Sequence, residues 1–82
     1  MDKQKIFTAE QLGRVLQGYR KSQELTQTET ASRVGLQQKT VSALEINTAA
    51  SSIESLFKLL SALDLTISIE SKKRDSKNNE AW

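Results

Sequence analysis

The sequence predicts a small, mainly α-helical domain of four or five short helices, closed by one β-strand near its C-terminus. Three observations predict it. Apolar residues recur at helical spacing in Leu12, Val15, Leu16 and Tyr19, and again in Ile53, Leu56, Phe57, Leu60 and Leu63, the mark of helices with one face turned inward. Three segments open with Ser or Thr followed three residues later by Gln or Glu, beginning at Thr8, Thr26 and Ser51, the reciprocal cap of a helix start. Only the stretch 65–70 changes to period two, with Leu65, Ile67 and Ile69 on one side and Thr66, Ser68 and Glu70 on the other.

The first helix follows a short polar lead-in. Thr8 caps it with Gln11, and Phe7 and Leu12 occupy the two positions of a hydrophobic staple. Arg20 and Lys21 fall in its last turn, where the helix dipole favours cations. Its stripe, Tyr19 included, reads as scaffold.

The next two helices carry the informative pattern. Thr26 and Glu29 start a short helix, and its N-terminus would offer backbone N–H groups to an anion. Ala31 and Gly35 stand four apart at the seam, where two helices cross only if side chains are small, and Gly35 can take the positive φ of the corner. Val34, Leu36, Val41 and Leu44 turn inward. This is the spacing of a helix-turn-helix, whose second helix presents its outer face to the DNA major groove. That face is Gln37, Gln38, Lys39, Thr40 and Ser42, with no carboxylate until Glu45. Gln pairs with adenine, Lys reaches guanine, and Thr or Ser serves base or phosphate. Thr30 is the awkward position: either its hydroxyl bonds a carbonyl one turn back, or the core is loose there.

After a short connection, Ser51 and Glu54 cap a fourth helix whose apolar stripe reads as core. The strand 65–70 cannot satisfy its backbone alone. Its natural partner is the same strand of a second copy, paired through Leu65, Ile67 and Ile69 about a two-fold axis; the alternative is an edge strand docked on a different protein. Such a homodimer would also set two reading helices about 34 Å apart, as a pseudo-palindromic DNA site requires. Residues 1–70 thus form one domain, and 71–82 read as a disordered tail.

Composition bounds the function. The chain has 82 residues, with neither Cys nor His. Disulfides are excluded, as are thiolate and imidazole nucleophiles, bases and metal ligands, so no enzyme, cofactor or metal site is expected. A chain this size buries only about 60% of its unfolded surface, and association adds stability. The start MDKQKIFTAEQL lacks a signal-peptide core and no window approaches a membrane span; a cytoplasmic protein is expected. Residues 1–70 carry eight basic and eight acidic side chains, so the net +2 resides in the tail. A neutral body favours a sequence reader over a general polyanion coat, with Arg14, Arg20, Lys21, Arg33 and Lys39 as the cations near the motif.

The run Gln27-Thr28-Glu29 with Ala31, Gly35 and 38–45 resembles the Cro/repressor (Xre-type) helix-turn-helix family. More closely, Lys5 to Glu70 together with the terminal Trp82 is similar to HipB-like antitoxins of HipA/HipB toxin–antitoxin systems. The pattern departs at Thr30, where the family usually has Leu, and at Gln37 and Lys39. The resemblance implies that Gln27 helps fix the DNA backbone, with Thr28 beside it, and that the Trp-ended tail contacts a kinase toxin through Trp82. Its partners would be double-stranded operator DNA, a second copy of itself and a HipA-like serine/threonine kinase. The expected function is an antitoxin that represses its own operon and neutralises that kinase. The alternative is a stand-alone repressor without a toxin.

Overall fold

The structure is a computed structural model that describes residues 3–72. Four α-helices follow one another: α1 (Ala9–Ser22), α2 (Gln27–Arg33), α3 (Gln38–Ile46) and α4 (Ile53–Ala62), with a 3-10 turn at Thr48–Ala50 between the last two. Their inward faces meet in one core of Leu16, Ala31, Val41, Leu44, Leu59, Leu60 and Leu63. Leu12, Tyr19 and Leu36 pack against it, as their spacing predicts.

Three of the four helix starts are built by side chains. Thr8 accepts from the Gln11 N–H at 3.0 Å, but the reciprocal arm reaches one residue further back: the Phe7 N–H donates to Gln11 Oε1 at 2.8 Å. Gln11 also donates to the Lys5 carbonyl at 2.8 Å, tying the lead-in to α1. Phe7 is 66% exposed, so the expected staple to Leu12 is not closed; Lys72 Nζ lies 5.7 Å from its ring centre instead. At α2 both arms of the capping box between Thr26 and Glu29 are made. The cap of α4 is Ser52, which accepts from the Ser55 N–H, not Ser51. A hydroxyl one residue later gives the same kind of bond, so the expected Ser51–Glu54 box is replaced by Ser52 and the Ser55 N–H.

Three helices end in the same way. Glu24, Gly35 and Asp64 have φ of 60°, 71° and 63°. The N–H of each following Leu (Leu25, Leu36, Leu65) returns to the carbonyl of Arg20, Ala31 and Leu60 at 3.2, 3.0 and 2.8 Å. This is the left-handed C-terminal cap, with a Leu folded back onto the core. It turns the chain sharply without Pro.

One sequence expectation meets a correction, and a second needs a partner chain. In α4 the buried stripe is Leu56, Leu59, Leu60 and Leu63, again at i, i+3, i+4 and i+7; Ile53 and Phe57 are 70% and 55% exposed. The helix is apolar over a wide arc, and the core takes one edge of it. The stretch 65–70 has no regular secondary structure in the single chain, since a ladder needs a second strand and none exists among the described residues. Leu65 packs on the core, whereas Ile67 and Ile69 are 43% and 95% exposed.

Thr30 is resolved. It is fully buried, and its hydroxyl donates to the Thr26 carbonyl one turn back at 2.8 Å.

Candidate nucleic-acid interface

The angle between α2 and α3 is held from behind by a polar network. Arg20 comes from the last turn of α1, Gln27 from the first of α2, and Glu45 from the last of α3. Arg20 donates through Nε and a terminal nitrogen to the two Glu45 oxygens at 2.6 and 3.1 Å. Its other terminal nitrogen donates to the Leu25 carbonyl at 2.8 Å. Both side chains are buried, and the hydrogen bonds to Glu45 raise the Arg20 pKa above its ordinary value. Gln27 Nε2 then donates to Glu45 Oε1 at 3.0 Å, and Gln38 Nε2 donates to Gln27 Oε1 at 2.5 Å. A line of side chains therefore runs from inside the domain to the front of α3.

That front is open. Gln37 begins α3 with extended backbone and makes no side-chain cap, and no acidic residue lies in the first turn. Gln37, Gln38 and Lys39 are exposed, while Thr40 and Ser42 are half-buried along the flanks. Uncapped N–H groups, two amides and an ammonium make a surface that suits phosphate and base edges. The Gln27–Gln38 bond brings the start of α2, with exposed Thr28, alongside it. The seven residues expected to face DNA lie in the first turn of α2 or from Gln37 to Ser42 along α3, and the Gln27–Gln38 bond joins the two groups. Trp82 and residues 73–82 lie outside the described residues.

The cations differ from expectation. Arg20 is consumed by Glu45 and Leu25 and is not available to a ligand. Arg33 donates to the Ala62 carbonyl at 3.1 Å, closing the end of α4. Lys39 remains exposed on the reading helix itself. Sequence reasoning missed the role of Glu45, although Val41, Leu44, Glu45 and Thr48 form the inward spacing of α3. It also missed Gly13, where an added Cβ would meet the Glu45 carbonyl and Thr48 Oγ1. There α1 crosses α3 with no room for a side chain.

A helix-turn-helix family profile matches residues 16–69. Antitoxin HipB of Escherichia coli O6:H1 is 33% identical over 76 residues, covering 93% of this chain and 81% of that protein. Antitoxin HipB of Escherichia coli K12 is 32% identical, covering 93% and 86%. The chain belongs to the HipB-like helix-turn-helix family. Among solved structures, HipB in a HipA–HipB–O2–O3 complex superposes with a TM-score of 0.84 at 31% identity, over 87% of this chain and all of that one. HipB in a HipB–O4 20mer complex gives 0.83 at 31%, with the same coverage. In this HipB-like chain no helix among the described residues is long and apolar enough to cross a membrane.

Proposed function

We propose that this chain is a DNA-binding antitoxin that acts in the cytoplasm, represses its own operon as a homodimer, and binds and neutralises a HipA-like serine/threonine kinase. The observation that carries the DNA reading is the carboxylate-free, uncapped front of α3 with Gln37, Gln38 and Lys39 exposed on it. Gln38 and Lys39 meet base edges; Gln37, Thr40 and Ser42 meet flanking base or phosphate; Gln27 and Thr28 secure the backbone. Lys39 is one of eight basic side chains that eight acidic ones balance in residues 1–70, so binding depends on local fit rather than on bulk attraction.

The dimer is supported by apolar surface the single chain leaves uncovered. Ile67 and Ile69 continue from Leu65, and Ile53 and Phe57 line the outer side of α4. A groove of about 560 Å³ separates the lead-in Lys3–Ile6 from the segment around Leu65 and Ile67. A second copy pairing its own 65–70 stretch antiparallel would cover Ile67 and Ile69 and satisfy the backbone of both.

The kinase reading rests on likeness to HipB, one solved form of which is the HipA–HipB–O2–O3 complex, and on the Trp-ended tail. Two experiments test the whole. Titration of the chain against the DNA upstream of its own gene should give nanomolar binding that Gln38→Ala or Lys39→Ala each weakens by about 1–3 kcal/mol; unchanged affinity in both would move the reading surface elsewhere. Pull-down from the host should recover a HipA-like kinase with the full chain and less with a chain ending at Ala81. No kinase with either chain would leave a stand-alone repressor.

A further inference from the structure

The hydrogen bonds behind the reading helix have a direction. A carboxylate only accepts, whereas a terminal amide has a donor end and an acceptor end of the same shape. Glu45 Oε1 therefore decides which end of the Gln27 amide faces it, and Nε2 donates to it at 3.0 Å. The Gln27 carbonyl oxygen is thereby turned toward α3, where only a donor fits, and Gln38 Nε2 supplies one at 2.5 Å. Arg20 fixes the origin of this chain by holding both Glu45 oxygens. Glu45 is 5% exposed, so little water competes for it. Gln38 is left with one N–H and its carbonyl oxygen, in a set order, for whatever lies in front. That pair complements adenine, which offers the N7 acceptor beside the N6 amino donor. Guanine offers two acceptors there, N7 and O6.

We propose that Glu45, held by Arg20, is a positioning residue for base selection: through Gln27 it orients the Gln38 amide and so sets the donor–acceptor pattern that α3 presents. The inference rests on the DNA-binding reading above and deepens it.

The test is selection from a randomised 20-base-pair duplex pool with the full 82-residue chain, comparing wild type, Glu45→Gln, Gln27→Met and Gln38→Ala. The position read by Gln38 is the one whose preference Gln38→Ala abolishes. Wild type should prefer adenine over guanine there. In Glu45→Gln the position-45 amide can offer either end to Gln27, and in Gln27→Met the link is cut. Both should lower the adenine-over-guanine ratio by about fivefold or more at that position, with base preferences at other positions unchanged; Gln27→Met also gives up its backbone contact, so its overall affinity falls at every sequence alike. Gln27→Met leaves the Arg20–Glu45 pair intact, so it decides the matter if Glu45→Gln does not fold. An unchanged ratio in Gln27→Met, or a uniform loss of affinity with an unchanged profile, overturns the proposal and leaves Gln27 a backbone contact. If wild type enriches no sequence, the DNA reading itself fails, and the proposal with it.

Discussion

Arg20 and Glu45, both buried, meet through two hydrogen bonds of 2.6 and 3.1 Å that join the end of α1 to the end of α3. Removing two charges from water is costly, and only their mutual geometry offsets it. The same geometry fixes where α3 lies.

Breaking one side should expose that cost. Glu45→Ala leaves Arg20 buried with the Leu25 carbonyl as its remaining partner and is expected to destabilise by about 3–5 kcal/mol. The double change Arg20→Met with Glu45→Leu should cost far less than the sum of the singles, because both charges leave together. Urea unfolding of the two singles and the double measures this. Additive losses would show that the two side chains do not interact energetically.

The two helix-interior glycines of α1 should respond with opposite signs. At Gly18 nothing lies within 4 Å of an added Cβ, so Gly18→Ala should stabilise by about 0.5–1 kcal/mol through helix propensity alone. At Gly13 the Cβ would strike the Glu45 carbonyl and Thr48 Oγ1, and Thr48 is itself tied to the Leu44 carbonyl at 2.6 Å. Gly13→Ala should cost about 1–3 kcal/mol by overpacking. Thermal melts of the two variants side by side check it, and stabilisation by both would mean that the α1–α3 crossing is wider.

The positive-φ ends of α1, α2 and α4 should also respond with opposite signs. A non-glycine residue in this region costs about 1–2 kcal/mol, offset in part by the extra entropy glycine loses on folding. Glu24→Gly and Asp64→Gly should each stabilise by up to about 1 kcal/mol, since both sit at φ near 60° and are exposed. Gly35→Ala should destabilise by a similar amount although no atom lies near its Cβ, because the strain is in the backbone. Chemical denaturation of the three reads the signs directly.

What was legible in the sequence follows from what is local. Capping at Thr8 and Thr26, the inward spacing of Val41 and Leu44, and the turn at Gly35 are all decided within a few residues, and each is as the pattern implies. The grouping of Gln27, Gln38 and Lys39 follows from that turn. The match of Arg20 to Glu45 was not legible. The sequence places Glu45 at the end of the outer face of α3 and Arg20 among the cations near the motif, whereas both are buried; which charges meet depends on how two helices cross, 25 residues apart. For the same reason Arg20 reads from sequence as a free cation, and Gly13 as an ordinary helical residue. The expected α4 stripe shares Leu56, Leu60 and Leu63 with the core but misses Leu59, because apolar side chains span two adjacent arcs and period alone cannot say which arc the core takes. Ile53 and Phe57 fall on the other one.

The capping box of α2 makes stability depend on pH, and its sign can be worked out. Glu29 accepts the Thr26 N–H at 2.8 Å while its own N–H is held by the Thr26 hydroxyl at 3.0 Å. The backbone hydrogen bond from Thr26 is the main cause that holds the Glu29 carboxyl below its ordinary pKa, with the Thr26 side chain and nearby Arg33 acting in the same direction. The folded chain therefore binds this proton less readily than the unfolded one. The contribution is fully present above the unfolded pKa, about 4.3 for Glu, and is lost as pH falls through the lower folded value. Glu29→Gln keeps an oxygen for the Thr26 N–H and does not titrate. The difference in melting temperature between wild type and Glu29→Gln should accordingly be constant from about pH 7 to pH 5. Below that, wild type should lose ground steadily relative to the variant. Added salt should weaken the Arg33 part and leave the hydrogen-bonded part. A difference that stays flat down to pH 3 would mean that the box contributes the same whether or not Glu29 is charged.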